Sequence, residues 1–444
     1  MPGQRVDYET SFWEVLVNLP QNVVKSIWPT EMGSKNDRTR VQTTFNNLFL
    51  HFQSSTCTTE TLRFTYTMGF GLISFYLFII LTITGILLMF YYVPSVEQAY
   101  ARMLDLRSSV LFGDYLRNMH RWAAHAMVLF VFLHMARVFF TGCYYKPKEF
   151  NWVVGIGLFL LTLFLSFTGY LLPWDQLALW AIQVGTSIAS YTPVIGPQIR
   201  YVLIGSTTLG QEALIRFYTL HVIVLPLAAA VLIAVHFWRI HKDGGLTHHP
   251  RNVTPDLGMK KTVTGFHRRK DLSFPGTTKT YGLLGIADAS RPTVQRQLKD
   301  RVFSWPDLIL REVIVFAVLF AVLTVVSLLI QAPLEEPANP AHPTNPSKAP
   351  WYFLGLQELV SYDAFWGGIG IPGIVMTLLA LTPYLDRAGI VGKGVWFHRR
   401  RLLVNSLFGA FVLLNIFFIV LGTYFRGPNW EFILPWNLPP LGKG

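Results

Sequence analysis

The chain has 444 residues, 52% of them hydrophobic and only 14% charged, whereas soluble globular domains carry about 25% charged residues. That deficit excludes two or three soluble domains, and Gly 34 and Pro 26 spread without period exclude a collagen-like or wholly disordered chain. The net charge of +12 points, in so apolar a chain, to cytoplasmic loops and anionic lipid headgroups and not to nucleic acid. Two cysteines, Cys57 and Cys143, are too few for a disulfide framework or a cysteine-built metal site.

Residues 1–65 read as a cytoplasmic arm. They contain no cleavable signal peptide core, but the stretch Ser11–Trp28 is amphipathic and is expected to lie on the membrane surface. A membrane-crossing helix needs about 20 mostly apolar residues. Seven such stretches follow, at roughly 66–92, 118–140, 152–173, 214–238, 308–331, 370–386 and 402–425. The sixth is the shortest and carries Pro372 and Pro383. The fold expected is all-α and transmembrane. A four-helix bundle (66–240) is followed by a polar connecting loop (241–306), three further helices (307–425) and an extracytoplasmic tail (426–444). With seven spans the termini fall on opposite sides. The segments on the N-terminal side hold 26 Lys and Arg and those on the other side 7, so the positive-inside rule puts the N-terminus in the cytoplasm.

Ionisable residues at membrane depth are costly and tend to be functional. The second span holds His120 and His134, 14 residues apart; the fourth holds His221 and His236, 15 apart. At about 100° per residue these steps end about 40° short of and about 60° past whole turns, so each pair keeps roughly to one helix face, some 21–23 Å apart along the axis. Both helices run from outside to inside. His120 then lies level with His221 near the outer surface, and His134 with His236 nearer the inner one. Two facing histidines can supply both axial ligands of a haem iron, and two levels make two stacked haems. The alternatives are histidines bonded to neighbouring backbone, or a metal site, for which each level offers only two ligands where zinc takes four.

Arg117, Arg137 and Arg216 flank the four histidines. Guanidinium forks pair with carboxylates such as haem propionates; interfacial snorkelling is the competing reading. Gly71 and Gly85 on the first span and Gly155 and Gly169 on the third repeat the 14-residue interval. Glycine admits a flat macrocycle close to the backbone, although small residues also serve tight helix packing.

The strings RNMHRWAAHAMVLFVFLHMAR (117–137), FTGYLLPWDQLALWA (167–181), TPVIGP (192–197) and RFYTLHVIVLPLAAAVLIAVHF (216–237) resemble cytochrome b of the quinol–cytochrome c reductases, the bc1 and b6f complexes. The likeness runs from about Phe64 to Phe425. The 15-residue step on the fourth span resembles the b6 type, and the last three helices resemble subunit IV of b6f, so the chain looks like a fused, full-length form. The resemblance implies two haem b groups, bifurcated quinol oxidation at an outer site, electron transfer between the haems, and quinone reduction at an inner site, coupled to proton translocation. It also implies a Rieske-type iron–sulfur protein and a cytochrome c-type subunit as partners, in a homodimeric complex.

Carried over residue by residue, the resemblance places the outer quinol pocket at Tyr170, Pro193, Ile195, Gly196, Pro350, Trp351 and Tyr352. The family motif there is Pro-Glu-Trp-Tyr. This chain reads Ala349-Pro350-Trp351-Tyr352, so proline stands where a proton-accepting glutamate is expected, and Glu358 is the candidate substitute. The inner quinone site falls on His241 and Asp307. A covalently attached third haem is not expected, because Gly69 stands where the b6 type has its anchoring cysteine; Cys57 is the remote substitute. His125 lies about 140° round the helix from His120 and reads as a core histidine bonded to a neighbouring span. A different di-haem membrane anchor, or a transporter using the histidines as a proton relay, remain as alternatives.

Overall fold

The computed structural model describes residues 12–27, 37–47, 50, 53–243, 245, 301–386 and 393–437. Most of the connecting loop (246–300) and the end of the tail (438–444) therefore lie outside the described residues. The seven expected spans are all present, as Phe70–Met89, Gly113–Phe140, Glu149–Tyr170, Gln211–Lys242, Ser304–Leu329, Trp366–Leu385 and Arg399–Tyr424. Side chains such as Leu328, Leu329, Leu413 and Phe417 are exposed along them. So much apolar surface suits hydrocarbon and would be a liability in water.

The chain forms two compact units, 1–68 with 295–318, and 69–294 with 319–444. In the first, the helices Phe12–Ile27 and Asp37–Asn46 precede a short strand, Thr56–Thr58, paired antiparallel with Arg301–Phe303 so that Cys57 faces Val302. The backbone N–H of Ser304 donates to the Ser55 carbonyl at 3.0 Å, and Gln53 donates to Glu312 at 3.2 Å. The polar arm thus grips the start of the fifth span.

In the second unit the first span packs on the second, the second on the third, and the third on both the fourth and the sixth. The helix Trp351–Tyr362 packs on the seventh span. The fifth span joins the second through hydrogen bonds at its C-terminal end: Asn118 donates to the Ser327 carbonyl at 3.0 Å, Trp122 to Ile330 at 2.8 Å and Arg117 to Ala332 at 2.8 Å. Two apolar cores close the bundle. One gathers Met103, Leu106, Leu171, Trp174, Ile182, Leu214 and Phe217 at the His120 end. The other gathers Phe139, Tyr144, Trp152, Leu379 and Phe408 at the His134 end.

Two of the proline-bearing spans, the fourth and the sixth, widen locally ahead of the proline. A π-turn, Trp366–Gly370, lengthens the short sixth span ahead of Pro372. In the fourth span a π-turn, Leu220–Val224, sits just before Pro226. Proline cannot donate to the carbonyl four residues back and crowds it, and a π-turn accommodates one extra residue. The 15-residue step from His221 to His236 is thereby brought into phase with the 14-residue step of the second span.

Candidate functional site

The four histidines meet in two pairs. The rings of His120 and His221 have centres 6.2 Å apart at an angle of 79°, and those of His134 and His236 are 6.4 Å apart at 81°. Metal–imidazole bonds of about 2.0 Å, with ~1.1 Å more from nitrogen to ring centre on each side, put two axial rings ~6.2 Å apart. Both gaps fit a single iron with an imidazole on either face.

At the His120 level the other ring nitrogens are already committed. The Thr84 hydroxyl donates to the Ile80 carbonyl at 2.7 Å, so its oxygen, 2.9 Å from His120 Nδ1, accepts the ring N–H. His221 Nδ1 donates to the Leu165 carbonyl at 3.1 Å, with Thr168 alongside at 3.2 Å. A histidine whose Nδ1 carries the proton offers its Nε2 lone pair to a metal, and outer hydrogen bonds of this kind fix ring orientation. The sequence carried a signal for these threonines: Thr84-Gly85 and Thr168-Gly169 are the same dipeptide on the first and third spans.

Each of the four glycines faces one imidazole. A Cβ built on Gly169 would lie 2.3 Å from Cε1 of His221, on Gly71 2.9 Å from His134, on Gly85 3.3 Å from His120, and on Gly155 3.8 Å from His236. The glycines leave room for the four imidazole rings between the spans.

The arginines have further partners. Arg117 is buried and its two terminal nitrogens donate to the carbonyls of Ala332 (2.8 Å) and Pro333 (2.6 Å). Arg216 donates to the Val202 carbonyl. Arg137 is buried, with a long contact of 3.8 Å to Cys143 Sγ.

Of the residues of the expected outer pocket, Tyr170, Trp351 and Tyr352 come together around Arg121 and His125. The Arg121 guanidinium lies 4.4 Å above the Tyr170 ring, a cation–π arrangement. Burial raises the Tyr352 phenol above its ordinary value, against the opposing pull of Arg121 and a hydrogen bond with Ser166. Phe167 meets Phe353 edge-on at 6.2 Å. Trp351 Nε1 donates to His125 Nδ1 at 3.1 Å, and the His125 ring meets Tyr352 edge-on at 5.5 Å. His125 thus bonds to the Trp351 helix and not to a span, which helical geometry alone did not reveal. Pro350 caps that helix. Ile195 is exposed, and Gly196 starts the helix Gly196–Ile204, where a Cβ would lie 2.0 Å from the Ser190 carbonyl oxygen.

Glu358 is fully buried and saturated. It accepts from Arg426 Nε at 3.1 Å and from the Arg426 terminal nitrogen, from Tyr362 at 2.9 Å and from Trp430 at 3.0 Å. Burial pushes its pKa up, but these donors outweigh it and hold the carboxyl below its ordinary value. His241 is exposed near the end of the fourth span, beside the Arg239–Asp243 ion pair at 2.9 Å. Asp307 is exposed in the turn that opens the fifth span and belongs to the first unit.

Residues 53–244 match the family model described as cytochrome b/b6/petB. The menaquinol:cytochrome c reductase cytochrome b subunit of Bacillus subtilis is 44% identical over 176 residues, which is 39% of this chain and 79% of that protein. Cytochrome b6 of Heliomicrobium gestii is 44% identical over 167 residues, 38% of this chain and 78% of that one. A solved chain described as hyperthermophilic respiratory Complex III superposes with a TM-score of 0.64 at 23% identity, covering 84% of this chain and 86% of that one. That likeness extends the shared fold well beyond the sequence matches. Identity over most of the length of two such relatives places this protein in the cytochrome b family.

Proposed function

We propose that this chain is the di-haem cytochrome b subunit of a quinol:cytochrome c reductase complex in a bacterial-type cytoplasmic membrane, its N-terminus cytoplasmic. His120 and His221 hold the outer haem and His134 and His236 the inner one. Arg117, Arg137 and Arg216 serve the propionates, and Arg117 and Arg216 also tie down loop backbone. The observation that carries the reading is the pair of imidazole gaps, 6.2 and 6.4 Å, each backed by two glycines. The transporter reading accounts for four histidines at depth but not for two spaced ring pairs. When bound, the two haems supply one-electron carriers at two depths of a membrane that a bare charge crosses only at high cost.

Quinol oxidation releases two electrons and two protons. We assign the outer pocket to Tyr170, Pro193, Ile195, Gly196, Pro350, Trp351 and Tyr352, with Rieske-type and cytochrome c-type subunits taking one electron of each pair. Arg121 fixes the Tyr170 ring, and Phe167 and Phe353 supply apolar walls. Glu358 is not assigned the proton, since its oxygens are filled by Arg426, Tyr362 and Trp430; it ties the tail to the Trp351 helix. His241 is assigned to the inner quinone site, where a histidine suits proton uptake near neutrality. The motifs at 167–181, 192–197 and 350–352 favour this reading over a simple di-haem anchor, which needs no outer pocket.

A redox titration of the purified complex with haem quantitation tests the proposal. Two b-type haems per chain with separate potentials, and quinol oxidation blocked by outer-site inhibitors, are expected. A spectrum without b-type absorption overturns it.

A further inference from the structure

Proline at position 350 removes the carboxylate from the outer motif, and the structure brings a different polar group to the same place. His125 comes from the second span, five residues beyond His120 and on another face of the helix. It contacts the two residues that follow Pro350: it accepts from Trp351 Nε1 at 3.1 Å and lies edge-on to Tyr352 at 5.5 Å. Trp122 packs on its ring at 5.4 Å.

The hydrogen bond to Trp351 decides what this ring can do. An indole nitrogen only donates, so Nδ1 presents its lone pair to Trp351. The proton of the neutral imidazole then sits on Nε2. Among the described residues Nε2 has no hydrogen-bond partner, and His125 is only partly buried. His125 therefore presents an N–H donor beside Tyr352, where the family motif presents a carboxylate acceptor.

We propose that His125 is a substrate-binding residue of the outer pocket, donating its Nε2–H to a ring oxygen of the quinol or quinone. The assignment rests on the reading of residues 350–352 as that pocket. A donor at this position does two things. It holds a quinone carbonyl, which can only accept. It also stabilises the negative charge that grows on a quinol oxygen as its proton departs, as preorganised donors do for developing oxyanions. It does not take the proton itself, because the one free lone pair of the ring is held by Trp351. The proton leaves by another route, and Trp351 acts as the residue that fixes the tautomer.

The test uses the whole purified complex, with a soluble naphthoquinol and a soluble benzoquinol as donors and cytochrome c as acceptor. His125→Leu is expected to lower kcat/KM for quinol at least tenfold, with both haem potentials unchanged. His125→Gln keeps an N–H donor and is expected to recover most of the loss. In redox-difference infrared spectra, the carbonyl band of the bound quinone is expected to move to higher frequency in His125→Leu and to stay near the wild-type position in His125→Gln. Unchanged kcat/KM with an unmoved carbonyl band in haem-replete His125→Leu overturns the proposal. If His125→Leu loses its haems, Trp351→Phe carries the test: it frees Nδ1, and a severalfold loss of kcat/KM with both haems retained is expected, while no loss overturns the tautomer argument. A wild-type complex that keeps both haems but oxidises neither quinol overturns the pocket reading and this inference with it.

Discussion

The two histidine levels look equivalent in sequence and differ in structure. At the His120–His221 level both Nδ1 atoms are tied, to Thr84 and to the Leu165 carbonyl, and the facing glycines would place a Cβ 3.3 and 2.3 Å from the rings. At the His134–His236 level the corresponding glycine distances are 2.9 and 3.8 Å, tighter on the first-span side and looser on the third-span side. The equal 14-residue intervals set the depth of each level. The clearance around each ring is set by how closely the first and third spans approach, and by hydroxyls one residue away from the glycines.

The largest effect that sharpens this contrast comes from removing a ligand. His120→Leu should leave a complex with only the inner haem, and His134→Leu one with only the outer haem; retention of two haem equivalents in either variant sinks the ligand assignment. Next come the glycines, where the contrast predicts an order. Gly169→Ala forces a methyl into the His221 ring and should cost most of the outer haem. Gly71→Ala should weaken the inner haem, Gly85→Ala should be milder, and Gly155→Ala, with ordinary van der Waals clearance, should bind both haems like wild type. Haem content by pyridine haemochrome checks the series. If Gly155→Ala proves worse than Gly169→Ala, the difference between levels drawn from these distances is wrong.

The seven spans and the histidine pairing were legible because hydropathy and periodicity are local. The π-turn at Leu220–Val224 was half legible: the 15-residue step demanded a phase correction and Pro226 marked where it could occur. What sequence reasoning could not reach was set by distant partners. Glu358 looked free to take a proton until Arg426 and Trp430, 68 and 72 residues away, were found to fill it. His125 looked like a core residue until Trp351, 226 residues away, was found at its Nδ1. Thr84 and Thr168 were hidden for another reason. A threonine bonded to the carbonyl four residues back, as both are, is an ordinary helix feature.

The two ends of the second unit also differ, and a buried ion pair measures the difference. At the His134 end Arg401 is fully buried and donates to Asp386 at 3.2 Å, to the carbonyls of Phe139 (2.6 Å) and Phe140 (3.2 Å), and to the Tyr144 hydroxyl at 2.6 Å. Tyr144 in turn donates to Asp386 at 2.7 Å. Breaking such a pair from one side leaves an uncompensated charge at a cost of about 3–5 kcal/mol. Arg401→Leu should therefore lower the thermal midpoint of the complex by several degrees, and the double variant with Asp386→Leu should recover part of it. A single variant as stable as wild type would mean that water reaches this cluster.

At the His120 end the comparable polar cluster is made of carboxylates, and its signature is pH dependence. Asp175 caps the helix Gln176–Ser190 through Ala178 at 2.9 Å and accepts from the backbone N–H of Glu335 at 3.1 Å. Burial, then the charges of Asp175 and Glu336, push the Glu335 carboxyl up to about 7; burial also raises Asp175, against bonds from the backbone N–H groups of Ala178 and Glu335 and the pull of Arg121 and Arg117. A carboxyl whose pKa is higher folded than unfolded favours the fold while protonated in both states, below about 4.5. That advantage fades as pH rises and is gone above about 7. Glu335→Gln cannot ionise, so its midpoint should fall less than that of wild type between pH 5.5 and 8, the two differing most at the alkaline end. Because Glu335 is partly exposed, solvent screening keeps this effect the smallest of the set. Parallel midpoint curves for wild type and Glu335→Gln would show that the carboxyl ionises without cost, and that the His120 end, unlike the Arg401 cluster, is open to water at its acidic rim.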